Sequence, residues 1–534
     1  MTNPIWFLFA VLLAFAYPTG SEFLHFAQRP WAAPAAWAGG SLLLAVASAV
    51  FYGRVTTVRR LLLGKLVFRG LSLAGFAALI FVFHFPLFVW VQLRLEEIPV
   101  VGDLATLLPY LTFAAIHGGL SSRADERLRG IGARGARAMA VRTFLGFAFM
   151  PALLLVLVQT AMTGWMPLLR LVTLAPGVAW LLMLLGLAGC LAGAPFYLRW
   201  IFRARPLPPG SKRDRLLALA QRSGFRCREI LLFDTGGSGI ANAFIVGLHP
   251  KLRYVFFTDA IVSGMSDEGL ECVMAHEMSH GLRRHLLHYL FFSLSFLLVV
   301  LFAQEFLLGA RLTGAVPALA TFGVAIVFWV GIFGFLSRRF ETEADLVGMR
   351  LSSVPNPSDP MAGARKFAEA LYHVAELNGV PPEAGSWRHF SIARRALLVL
   401  QAGAQPEWGR GFERSCAALR TASIAALAFG MLYGAFLVRK QFDRLPEARS
   451  EWARTERAVA GWRLLRAGYP AESVPFLEEA ARHPDSSGEL HLALAEAYER
   501  IGRSKQAEEE KRKAAIRGVT DPRSRLRLRP TSDR

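Results

Sequence analysis

The stretch that decides the reading is VMAHEMSHGLRRH, Val273 to His285. It sets His276 and His280 four apart, with Glu277 directly after the first histidine. On a helix, residues i and i+4 share a face. Both imidazoles can therefore point at one ion, at the roughly 2.0–2.1 Å of a zinc–nitrogen bond. Glu277 lies about 100° further round the helix. It is out of reach as a ligand and within reach of a water on the metal's open side. Zinc lowers the pKa of such a water to about 7 and a carboxylate takes its proton, which is the arrangement for metal-assisted hydrolysis.

A pentapeptide this short also arises by chance on a basic-edged surface helix, so a third ligand has to decide. Glu341, in SRRFETEAD (337–345), is the best candidate. Two apolar runs, 286–309 and 314–336, separate it from the histidines, and their connection carries only Arg311. They form a membrane hairpin, which returns the chain to the side it left. Asp345, four residues beyond Glu341, shares its face and is placed to orient a ligand histidine from outside the metal shell. Glu343 faces away from both.

Working outward, the chain has 534 residues, 54% hydrophobic and 19% charged, too apolar for an ordinary soluble protein. Its four cysteines are scattered with no CxxC pair, so neither a disulfide framework nor a cysteine zinc site is written into it. The net charge is +20, yet no basic-and-aromatic patch marks a nucleic-acid surface, and none is expected as a partner.

Six apolar segments precede residue 205, at about 4–18, 34–52, 71–93, 104–119, 143–163 and 175–200. Connections 53–70, 120–142 and 199–215 hold five, six and six Lys or Arg; the alternate ones hold Arg29, Arg94 and Arg170. Under the positive-inside rule this alternation places the N-terminus and residue 206 in the cytoplasm. Thr421 to Val438 is a ninth candidate span with basic residues on both sides.

Residues 206–285 read as a small α/β patch. RDRLLALAQRSGF is an amphipathic helix; EILLFD, ANAFIVGL and RYVFFTD are strand-like; a helix begins near Ser266. The fold expected is mainly α: a polytopic membrane protein of about eight or nine spans with a small β-sheet beside the metal motif. Its parts are a membrane region 1–205, a metal domain 206–415 carrying the hairpin 286–336, the span 421–438, a helical region 446–516 and a basic tail 517–534. In the helical region Gly468 and Gly502 lie 34 residues apart, and Leu494, Tyr498, Ala507 and Ala514 follow tetratricopeptide spacing. A plain helical hairpin fits as well, and either would serve as a protein-partner surface.

HEMSHGLRRH followed by SRRFETEAD resembles the signature of membrane zinc endopeptidases of the CAAX prenyl protease and HtpX type. That family pattern is HExxH, a membrane hairpin, then SRxxExxAD, and His276, Glu277, His280, Ser337, Arg338, Glu341, Ala344 and Asp345 all match it. The resemblance implies a zincin-like domain with one zinc held by His276, His280 and Glu341. ANAFIVGL is similar to the family's strand ahead of the motif helix, so Asn242, Ala243 and Phe244 are implied to pair with extended substrate. SWRHFSIARR is similar to a late family segment whose histidine aids the transition state; His389 and Arg394 correspond, with Phe390 in place of the usual proline. From the residues alone, His389 reads equally as a surface histidine. His285 and His288 are expected to be structural.

The expectation is a membrane-integral zinc endopeptidase in a bacterial inner (plasma) membrane, cleaving membrane or lipid-anchored proteins near the cytoplasmic face. A non-catalytic scaffold acting through its helical region is the rival, and it has no use for Glu277. A transporter would need more ionisable groups inside the spans than His84 and His117, which no acid joins.

Overall fold

The computed structural model describes the chain except residues 1–4, 16–30, 96–98, 151–152, 154–170, 172–173, 310–315, 353–358, 444, 484–485 and 518–534. The chain divides into two units, residues 1–164 with 184–434, and 165–183 with 435–534.

Six helices among the described residues are long and apolar enough to cross a membrane: Ala32–Arg54, Val58–Phe81, Val100–Arg129, Leu184–Ile201, Ala320–Ser352 and Pro406–Phe436. This is an integral membrane protein. Helices Ile5–Phe15 and His285–Gly309 coincide with two further expected segments, while most of the expected segment 143–163 lies outside the described residues.

The first two arginine-rich connections are largely helical. Thr57 caps a helix that runs from Val58 to Phe81, its Oγ1 accepting from Arg60 N at 3.3 Å, and Arg59, Arg60, Lys65 and Arg69 all fall on it. The second basic stretch continues the helix Leu108–Arg129, which ends at Gly130 in the left-handed region, and resumes as Ala133–Phe144. Lys and Arg are good helix formers, so nothing local breaks the helix where the apolar run stops. Two of the charges, Lys65 and Arg129, are neutralised by pairing. Asp125, in a connection by the sequence reading, is buried on the helix between Lys65 and Arg129, the latter at 2.9 Å. An acid thus joins the polar groups of the bundle, contrary to expectation.

That buried pair positions a strand. Arg129 Nε and Nη2 donate to the Asn378 carbonyl at 3.0 and 2.6 Å. The Asn378 side chain then grips Ala241 by both backbone groups, accepting from its N–H at 3.2 Å and donating to its carbonyl at 2.9 Å. The following residues form β3.

Among the described residues the sheet has four strands, β1 (Arg205–Pro206), β2 (Glu229–Phe233), β3 (Ala243–Val246) and β4 (Tyr254–Thr258), in the order β1-β2-β4-β3. β2 and β4 are parallel and the two outer pairs antiparallel. β4, buried along its whole length, is central; β3, alternately buried and half-buried, is an edge. Thr258 N donates to Asn242 O, so hydrogen-bonded pairs recur at Phe244 and Val246. Ala243 and Ile245 therefore turn their backbone groups to the open edge.

The motif helix, Asp267–Leu282, starts where Ser266 Oγ accepts from Gly269 N at 3.1 Å, with Asp267 and Glu268 in the first turn where the dipole favours acids. It packs against the acidic helix, Gly334–Ser352. Gly348 permits the approach: a Cβ there would lie 3.0 Å from His276 N and 3.1 Å from its Cα.

In the second unit, helices Leu445–Arg466, Pro470–Ala481, Gly488–Arg500 and Ser504–Ile516 pack each on the next. Leu465, Leu477, Leu494, Tyr498 and Ala507 form its core. Gly468 and Gly502 close two hairpins at φ 89° and 77°, a region that favours glycine. These are helical hairpins, and nothing further supports the tetratricopeptide reading.

Candidate active site

His276, His280 and Glu341 converge. His276 Nε2 and His280 Nε2 are 3.3 Å apart, and the two oxygens of Glu341 lie 3.6 Å from the first and 3.7 Å from the second. Two bonds of about 2.1 Å at a tetrahedral angle set ligand atoms roughly 3.4 Å apart, so this cradle fits a zinc ion. Among the described residues these three form the group of side chains that can hold a metal.

Both histidines are held from behind. Asp345 Oδ1 is 2.9 Å from His276 Nδ1, more a charge contact than an aligned hydrogen bond. Asp345 in turn accepts from Arg395 Nε and Nη2 at 2.8 and 2.6 Å. On the other histidine, His285 Nδ1 meets His280 Nδ1 at 3.0 Å and His285 Nε2 meets Glu343 Oε2 at 2.9 Å. Arg420 Nη1 donates to the same oxygen at 2.5 Å. Glu343 does face away from the cradle, as the sequence suggests, but His285 is more than structural filling: it touches a ligand.

Glu277 is beside the cradle and accepts a hydrogen bond from the Ile245 N–H of β3. Burial raises its pKa to about 7, His276 opposing and Glu341 reinforcing the shift. Burial pulls His276 down, but the Asp345 and Glu341 carboxylates outweigh it and lift the imidazole to about 10. Burial holds His280 well below the usual histidine range. A divalent cation here would reverse the local balance, favouring the Glu277 carboxylate and a neutral His276.

The groups open onto a cavity of about 690 Å³ lined by Asn242, Ala243, Phe244 and Ile245 of the edge strand, by the metal cradle, and by His389 and Arg395. His389 is half-exposed on a loop ahead of helix Ile392–Ala404, with Nδ1 3.1 Å from Glu341 Oε2. Arg338 pins that loop by donating to the Trp387 carbonyl, and Ser386 Oγ accepts from His389 N at 3.0 Å. The arginine that reaches the centre is Arg395. Arg394, which the sequence comparison suggests, stacks 4.1 Å from the Phe390 ring instead. The helix begins at Ile392, so adjacent residues diverge by a third of a turn.

Sequence reasoning missed Arg395, Ile245, Asn378 and the His285–Glu343–Arg420 chain. Only the last carried a signal, since His285 continues the motif by five residues. Asn378 and Arg129 are 249 apart and meet only in the fold.

Residues 212–374 match the family model described as Peptidase family M48. That segment is similar to M48 peptidases and carries the His276, His280 and Glu341 group that can hold a metal. An 89-residue stretch is 30% identical to CAAX prenyl protease 1 of Saccharomyces cerevisiae, covering 16% of this chain and 20% of that protein. The match thus spans about a fifth of the curated relative. The crystal structure of S. mikatae Ste24p aligns at 15% identity and a TM-score of 0.37, over 74% of this chain and 98% of that one. The M48 segment begins at the helix Ser211–Arg222 and ends within Pro360–Leu377, so it contains the whole cradle and Glu277, while Asn378, His389, Arg395 and Arg420 lie beyond it.

Proposed function

We propose that the chain is a membrane-integral zinc-dependent endopeptidase that hydrolyses peptide bonds of membrane or lipid-anchored proteins. The observation that carries this is the placement of Glu277 between a three-ligand cradle and the open edge of β3. Zinc would supply a Lewis acid and a water of lowered pKa. Ala243 and the Ile245 carbonyl offer outward main-chain groups to an extended peptide, which sets its scissile bond beside the cradle. Glu277 takes a proton from the attacking water and returns it to the leaving nitrogen, with the Ile245 N–H keeping its carboxylate on line. His389, on its pinned loop, is placed to donate to the oxygen that becomes negative. Asp345 and His285 fix the ring orientation of the two ligand histidines.

The cavity's far wall is apolar, with Ile261, Val273, Phe367, Leu371 and Val374. It suits apolar side chains or a lipid tail. The yeast relative's name specifies a CAAX prenyl protease, so a prenylated C-terminal peptide is the first substrate to offer. We place the catalytic side on the cytoplasmic face of a bacterial plasma membrane, on the charge bias of the helix ends, and read the hairpins 446–516 as a surface for a protein partner. The alternative, a non-catalytic scaffold, leaves Glu277 unexplained.

The test is a digest of membrane peptides with metal analysis of the same samples. Glu277→Gln is expected to keep zinc and abolish hydrolysis, whereas His276→Ala loses both. Zinc lost equally from both variants would show that Glu277 is a ligand and not the base.

A further inference from the structure

A second cavity, about 590 Å³, lies away from the metal at the end of the candidate span Leu184–Ile201. Three guanidiniums line it: Arg142 from helix Ala133–Phe144, and Arg199 and Arg203 from the end of the span. Phe196 and Trp200 complete its rim, and Trp200 is 73% exposed. We propose that this cavity binds the phosphate headgroup of an anionic glycerophospholipid.

Among the described residues none of the three arginines pairs with a carboxylate. Arg142 Nη1 donates to the backbone carbonyl of Asp234 at 2.8 Å, while the Asp234 carboxylate accepts from Gly236 N at 2.7 Å. Arg199 lies 5.8 Å from the Tyr254 ring centre. The sequence holds no Asp or Glu between Glu126 and Asp214, so no acid of that stretch can serve. Arginine near a helix C-terminus is favoured by the helix dipole, which accounts for Arg199 and Arg203 but not for Arg142, brought in by a different helix.

The backbone also gathers the cations. Ala204 N donates to Arg199 O at 2.9 Å and Arg203 N to Trp200 O at 3.0 Å, the paired bonds of a Schellman closure. Arg203 takes its left-handed position at φ 51°, where glycine is the default. The closure folds Arg203 back over the last turn, toward Arg199. Phosphate oxygens suit several guanidinium forks converging on one point.

The lipid source is favoured by position. Leu184 and Leu185 on the same helix are 62% and 59% exposed, as a lipid-facing surface would be. Trp200 marks the level where that apolar surface ends, the usual place of interfacial aromatics. Basic pockets between helices at that level hold anionic headgroups.

Native mass spectrometry of the full-length protein, released from detergent with phosphatidylglycerol or phosphatidylcholine, tests this. The wild type is expected to retain phosphatidylglycerol preferentially. The triple variant Arg142→Gln, Arg199→Gln, Arg203→Gln should lose roughly 100-fold in apparent affinity, at about a fivefold loss per arginine. A charge-matched triple at Arg54, Arg59 and Arg60, exposed elsewhere, should bind as wild type. Equal retention by the two triples would overturn the site, as would wild-type retention by the pocket triple. Displacement of the lipid by millimolar inorganic phosphate would make the ligand a free anion and overturn the lipid assignment. Unchanged zinc content in each variant shows that the fold is intact.

Discussion

His280 Nδ1 lies 3.0 Å from His285 Nδ1, two nitrogens that can share only one proton. With His280 Nε2 turned into the cradle, its Nδ1 must donate, and His285 must accept there and donate from Nε2 to Glu343. Phe340 stacks on the His285 ring at 4.3 Å and 5°, and Arg420 holds Glu343 from the far side. The chain fixes one tautomer of the ligand histidine.

His285→Ala is therefore expected to weaken zinc binding roughly 10- to 100-fold, although His285 touches no metal. Glu343→Ala should weaken it in the same direction by freeing the His285 ring. A chelator competition on purified protein reads this directly. Zinc affinity unchanged in both variants would leave the pair as packing only.

Gly348→Ala separates helix stability from ligand geometry. Alanine is the better helix former by about 1 kcal/mol, but its Cβ would lie 3.0 Å from His276 N and 3.1 Å from Phe367 Cε2. The acidic helix must shift by a few tenths of an ångström, carrying Glu341 away from the histidines. The expected result is weaker zinc binding with an unchanged or higher melting temperature of the metal-free protein. A melting temperature that falls with zinc affinity intact would contradict this reading.

The cradle was legible because its residue types and spacing belong to two helices, and helix periodicity is local. His276, Glu277, His280, Glu341 and Asp345 all lie where i, i+4 reasoning puts them. The strands followed from their apolar runs, while the edge position of ANAFIVGL came from what the family resemblance implies. The basic stretches misled because a charge pattern reports where lipid ends and not where a helix ends; Lys and Arg are good helix formers, and Asp125 pairs with Lys65 and Arg129 within the bundle. Asn378 was beyond reach, since only the fold brings it to Ala241.

Asn378→Ala tests whether the membrane bundle sets the substrate strand. It leaves the N–H and carbonyl of Ala241 without a partner, costing about 1–3 kcal/mol if both stay buried. β3 is then freed at the end that leads into the peptide-binding edge. A rise of roughly tenfold in KM is expected, with little change in kcat or zinc content, because neither the cradle nor Glu277 is touched. A fall in kcat at constant KM would assign Asn378 to the chemistry instead.

The side of the membrane follows from charge. Arg54, Arg59 and Arg60 flank the turn at Thr56, and Arg127, Arg129 and Arg134 flank Gly130. Moving such clusters across a bilayer is costly, so these ends are expected on the cytoplasmic side. The far end of helix Val58–Phe81 leads to Leu93, where only Arg94 is basic. Thr56 and Leu93 are both exposed, so cysteines placed there report without disturbing the core. Thr56→Cys should be protected from an impermeant thiol reagent in intact cells and labelled after permeabilisation, while Leu93→Cys should label in both. Lys251→Cys, exposed beside the sheet, should follow Thr56, because the cradle and the basic helix ends share a side. Labelling of Thr56→Cys and Lys251→Cys with protection of Leu93→Cys would invert the protein and put the metal centre outside the cytoplasm.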